Sequence, residues 1–138
     1  PALTTAAKDD RDWEKRGRET CALVYGGQYE KLRANIAALH PDMERWMVVE
    51  GYGKVLSRPG LDLVTRELCI VALLGPQDAG PQIYSHLRGA LNAGATEVEV
   101  DDAVRRMLGS LPPERARMLS EQWSAVRARR NAAVAEKD

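Results

Sequence analysis

Seven apolar residues in succession, Leu68 to Leu74, lie at the middle of the chain directly behind Arg66 and Glu67. The run is far short of the roughly 20 residues that span a bilayer. Asp62 stands ahead of it as a helix cap and Gly75-Pro76 stands behind it as a stop, so the segment reads as one helix, apolar on every side and buried all round. Such a helix needs other elements to cover it, and this constrains the rest of the chain. It also carries two charges toward a core. A buried carboxylate or guanidinium is costly unless paired. The plain alternative is that both lie at an exposed helix start, where an acid suits the helix dipole. The residues alone leave both readings open.

The chain has 138 residues, the size of one domain that buries about two-thirds of its unfolded surface. Apolar residues make up 44% and charged residues 29%, which excludes a disordered or collagen-like chain. Twenty basic residues balance twenty acidic ones, so a strongly basic nucleic-acid binder is not expected, and the Arg-rich end (Arg127, Arg129, Arg130) reads as a solvated face. Two cysteines, Cys21 and Cys69, are too few for a disulfide scaffold, and with only His40 and His86 a closed zinc site is not expected. Pro1 to Asp10 has no apolar stretch of the secretory kind, and Pro1 suggests a removed initiator Met. The expectation is a soluble, cytoplasmic protein with no membrane or nucleic-acid partner and no metal.

The pattern is helical throughout, with seven segments and no convincing strand. Asp9 to Tyr25 ends at Gly26-Gly27, and Tyr29 to Leu39 stops at His40-Pro41. Asp42 is placed as the cap of a third helix bearing Met43, Trp46, Met47 and Glu50, which runs out near Ser57-Arg58-Pro59-Gly60. The fourth runs from Asp62 through Leu74. Gly80-Pro81 opens a fifth that Gly94 terminates. Thr96 and Glu99 have capping-box spacing and start a sixth through Leu108, and Pro112-Pro113 separates it from a last helix, Glu114 to about Ala135, whose tail frays. The fold class is all-α, a single domain over residues 1–138.

On the fifth helix His86 shares a face with Ala79, Gln82, Ala90 and Ala93, while Ile83, Leu87 and Leu91 form a separate apolar stripe. Small and polar neighbours put the ring over a groove. A lone histidine on a helix is more often a structural hydrogen-bonding residue than a catalyst.

Taken together, Glu50-Gly51-Tyr52-Gly53, Ser57-Arg58-Pro59-Gly60-Leu61-Asp62, Arg66-Glu67-Leu68 and the stretch His86 to Thr96 (HLRGALNAGAT) resemble the carboxymuconolactone decarboxylase family, which includes alkylhydroperoxidase-type antioxidant proteins. The likeness covers roughly residues 18–102. It implies an alkylhydroperoxidase-like all-α bundle whose protomers form homo-trimers or homo-hexamers, with active sites near subunit contacts. In the peroxidase branch two cysteines lie between the Glu and the His. Here those positions hold Ala79 and Gln82, and the thiols that attack peroxide and close the disulfide are missing. Cys69 reads as a small core residue, and Cys21 has no visible activating environment.

The decarboxylase branch lacks the cysteine pair too. It implies a lyase without cofactor, acting on a small lactone or carboxylic acid. His86 is the expected acid/base, oriented by Glu67. Arg58, Arg66 and Arg88 are candidates for holding a substrate carboxylate, and Glu50 is a further pocket candidate. One departure counts against the muconate reaction itself: from Asp101 to Pro113 the chain has no His and no Tyr-x-Gly-x-Pro turn. Two other readings stand beside the lyase. One is an antioxidant protein using Cys21 and Cys69, and the other is a non-catalytic oligomer that binds a small acid.

Overall fold

A computed structural model describes residues 10–135, and among these there are helices and turns but no strand. The predicted start at Asp9 lies outside the described residues, as does the Pro1 segment. The α-helices are α1 (Asp10–Tyr25), α2 (Tyr29–Leu39), α3 (Pro41–Trp46), α4 (Leu63–Leu74), α5 (Gly80–Ala93), α6 (Glu97–Leu108) and α7 (Pro113–Ala135). A single 3₁₀ turn, Gly26–Gln28, joins α1 to α2. No described helix is long and apolar enough to cross a membrane. The chain divides into two compact units, the first ending at Leu63 and the second beginning at Val64.

In the first unit α3 does not continue as an α-helix. From Met47 to Leu56 the backbone winds as a π-helix, a form rare beyond one turn. Apolar periodicity does not separate the two windings, so the sequence reads as one helix. The cap of α3 also differs from expectation. His40, in extended conformation, accepts the Asp42 N–H through Nδ1 at 3.2 Å, and Pro41 takes the first helical position. Asp42 is thus a first-turn acid beyond the cap, because a proline at the first position fixes the start one residue earlier.

Close approach joins α1 to the π-helical segment. A Cβ built on Gly17 would collide with the Val48 carbonyl oxygen, and one on Gly53 with the Trp13 carbonyl oxygen. Two glycines thus let two backbones touch. Cys21, Val24 and Tyr52 form the buried centre beside them, with Tyr25 edge-on to Tyr52 at 6.0 Å between ring centroids.

The second unit packs α4, α5, α6 and α7 around Val71, Ile83, Leu87, Val100, Leu119 and Trp123. Its caps follow the sequence closely. Pro81 lies in the first turn of α5, and Gly94, at φ 112°, ends it with its N–H on the Ala90 and Leu91 carbonyls. Thr96 and Glu99 close a reciprocal capping box on α6. The apolar run of α4, by contrast, is not buried all round. Glu67 and Val71 are its buried residues, whereas Leu73 is 68% exposed and Cys69 is exposed as well. Within its own unit only one side of this helix is covered, and the reading of Cys69 as a core residue is corrected with it.

Candidate active site

Glu67 reaches the interior because it lies one turn before Val71, on the covered side of α4. Its solvent exposure is 0%. The exposed-start reading therefore fails for Glu67. A charge in that position needs a partner, and α5 supplies it. Ile83, Leu87 and Leu91 dock this helix on the core, and His86, adjacent to Leu87, stands at the edge of that stripe.

His86 Nδ1 lies 2.8 Å from Glu67 Oε2. The contact engages Nδ1, so Nε2 is the ring nitrogen left for another group. The His86 side chain retains 15% exposure, against none for Glu67. The buried acid holds the ring, and the ring stands between the acid and solvent. The other carboxylate oxygen, Oε1, is buried with no hydrogen-bond partner among the described residues. Leaving such an atom unsatisfied costs about 1–3 kcal/mol or more for a charged group, which marks this pair as something other than a stabilising device.

The remaining candidates fall into three places. Arg66 is half-buried on α4, immediately before Glu67. Glu50 and Arg58 belong to the first unit. Glu50 is 55% exposed and accepts a hydrogen bond from Lys54 Nζ at 2.8 Å, an ordinary surface pair, and Arg58 is exposed in the turn after the π-helix. Arg88 lies two residues past His86, roughly 200° round the helix, on the opposite flank of the apolar stripe. Its guanidinium carbon sits 5.9 Å from the Tyr84 ring centroid, and that of Arg129 on α7 sits 5.7 Å from the same centroid. The structure thus joins Glu67 with His86 and places Arg88 elsewhere. Tyr84 and Arg88, four apart on one helix, were open to detection from their spacing. Nothing in the sequence pointed to Arg129.

Cys21 is fully buried and Cys69 exposed, and neither is part of a disulfide among the described residues. Among the described residues no group of three His, Cys, Asp or Glu side chains could hold a metal ion.

The profile of the carboxymuconolactone decarboxylase family matches residues 41–109, half of the chain. Peroxisomal protein 2 of Schizosaccharomyces pombe is 36% identical over 99 residues, which are 71% of this chain and 46% of that protein. Nitrosuccinic acid decarboxylase of Metarhizium robertsii is 43% identical over 84 residues, 59% of this chain and 57% of that enzyme. The 4-carboxymuconolactone decarboxylase of Acinetobacter baylyi is 27% identical over 113 residues, 80% of this chain and 84% of that enzyme. The chain thus spans less than half the length of the peroxisomal relative.

Proposed function

Since the chain belongs to the carboxymuconolactone decarboxylase family, we propose that it is a decarboxylase of a small carboxylic acid or lactone acid that works without a cofactor, with His86 as its acid/base. The observation that carries this reading is the buried Glu67 carboxylate 2.8 Å from Nδ1 of a histidine that keeps some solvent contact. Two of the relatives are named for decarboxylations, of nitrosuccinic acid and of 4-carboxymuconolactone, which supports the reaction class and leaves the substrate open.

The chemistry follows from the pair. Decarboxylation breaks a carbon–carboxylate bond, releases CO₂ and leaves the electron pair on carbon, where a withdrawing group of the substrate must delocalise it. That carbon is then protonated. An imidazolium delivers the proton from Nε2 and recovers it from solvent, and its charge is balanced by Glu67 while the proton is held. Glu67 acts as a positioning residue: it fixes the ring's orientation and tautomer. Arg66, next to Glu67, is the cation proposed to hold the substrate carboxylate through its planar fork. Arg58, as a second holder of the carboxylate, and Glu50, as a further substrate-binding residue, remain proposals. Full burial of Cys21 removes the access that peroxide chemistry needs, so the thiol reading gains no support.

The test is CO₂ release and substrate loss followed by ultraviolet absorbance, with 4-carboxymuconolactone and nitrosuccinate as the two acids supplied. His86→Ala should lower kcat by about 10²–10⁴-fold, and Glu67→Gln should lower kcat more than it changes KM. Turnover unaffected by His86→Ala in a folded variant would overturn the assignment.

We further propose that the chain forms a homo-trimer or homo-hexamer. The uncovered apolar side of α4, with Leu73 68% exposed and Cys69 beside it, is the surface such an assembly would bury. The cytoplasmic placement is likewise a proposal. Imaging of a fluorescent fusion decides between it and the peroxisome for which two relatives are named.

A further inference from the structure

Most arginines of the second unit have an acid beside them. Arg105 pairs with Asp101, Arg106 with Asp102, Arg115 with Asp78, and Arg127 and Arg130 both with Glu97. Arg88 and Arg129 do not. Neither has a carboxylate partner among the described residues, yet α5 and α7 bring both to one tyrosine, with guanidinium carbons 5.9 and 5.7 Å from the Tyr84 ring centroid. A tyrosine face attracts a cation through its quadrupole, but it supplies no counter-charge to either guanidinium. The Tyr84 hydroxyl adds an independent observation: its oxygen is buried and has no hydrogen-bond partner among the described residues.

Uncompensated charge and an unused phenol donor thus meet at one place, and both deficits are met by the same kind of group. We infer that Arg88, Arg129 and the Tyr84 hydroxyl form a binding site for a small oxyanion, a carboxylate or phosphate group. Guanidinium forks match both geometries, and the phenol O–H donates to the same group. Arg129 is exposed and Arg88 half-buried, so the site opens to solvent at α7 and has its floor on α5. It lies across the apolar stripe of α5 from His86, about 200° round the helix. The anion it takes is therefore a second ligand, separate from the group that meets the Glu67–His86 pair.

The experiment is calorimetric titration of the full chain with inorganic phosphate and, separately, with acetate, at ionic strength held constant with chloride. The expected result is saturable binding of at least one oxyanion. Arg129→Ala should weaken it about tenfold or more, the loss of a charged hydrogen bond. Tyr84→Phe keeps both ring contacts and should still weaken binding, about threefold, with folding stability unchanged or raised, because it removes an unsatisfied buried hydroxyl. Arg127→Ala, from the same helix but paired with Glu97, should leave affinity unchanged. Tighter phosphate identifies a phosphorylated ligand, and tighter acetate identifies an organic acid. Absence of saturable binding for both anions, or equal affinity in Arg129→Ala, would overturn the inference.

Discussion

Glu67 gives one oxygen to His86 and has no donor on the other among the described residues. Because a neutral amide is cheaper to bury than a carboxylate, Glu67→Gln should keep or raise the urea midpoint even as it lowers turnover, and that split separates a functional residue from a structural one. His86→Ala should act oppositely on stability: it strands a buried charge and should cost about 3 kcal/mol or more by the same measurement. The glycines of the first unit make a second contrast. Gly17→Ala drives a methyl group into the Val48 carbonyl and should cost at least about 2 kcal/mol. Gly51→Ala meets nothing within 4 Å and should stabilise by about 0.5–1 kcal/mol through the unfolded chain. The family resemblance, and not spacing alone, set Glu67 and His86 together. It did not show which of Arg66 and Glu67 turns inward, since that depends on the side of α4 that the rest of the unit covers.

The parts best legible at the level of the element are those fixed by neighbours in the chain. Gly94 after α5 and the Thr96–Glu99 box before α6 form as their local chemistry requires. Thr96→Ala should therefore cost about 1 kcal/mol in chemical denaturation. The π-winding of Met47–Leu56 was not legible, because the apolar positions look alike in either winding. Across α6 and α7, Asp101 accepts from the Arg105 guanidinium and from Trp123 Nε1 at 3.1 Å. Those two hydrogen bonds, Arg105 first, hold its carboxyl below the ordinary value. A depressed folded-state value means the contribution is present above the unfolded value, near pH 4, and is lost as pH falls through the folded one. The melting temperature should therefore drop on acidification below about pH 4, and Asp101→Asn should flatten part of that drop.

For the molecule as a whole, the sequence predicted a helix buried on every side, and its own unit covers one side of it. Hydrophobic pattern states that α4 will be covered, but it does not say by which molecule. Light scattering should therefore give a mass of three or six times the chain's 15.3 kDa, and Leu73→Glu should reduce it toward one chain. A mass near that of a single chain for the unmodified protein would remove the oligomer proposal. The all-α class, by contrast, was legible from composition, since capping residues, Ala, Leu, Arg and Glu agree along the whole length.

The contact of α1 with the π-helical segment has a consequence for anyone who aligns this chain with its relatives. Where two main chains touch at Gly17 and Gly53, drift is forbidden by volume alone. Those two columns should stay glycine through deep divergence, as invariant as His86, and a saturation-mutagenesis map should show them dark. Invariance would then mark a place where nothing reacts, and only a screen that reads abundance apart from turnover would tell a hinge-pin from a reagent.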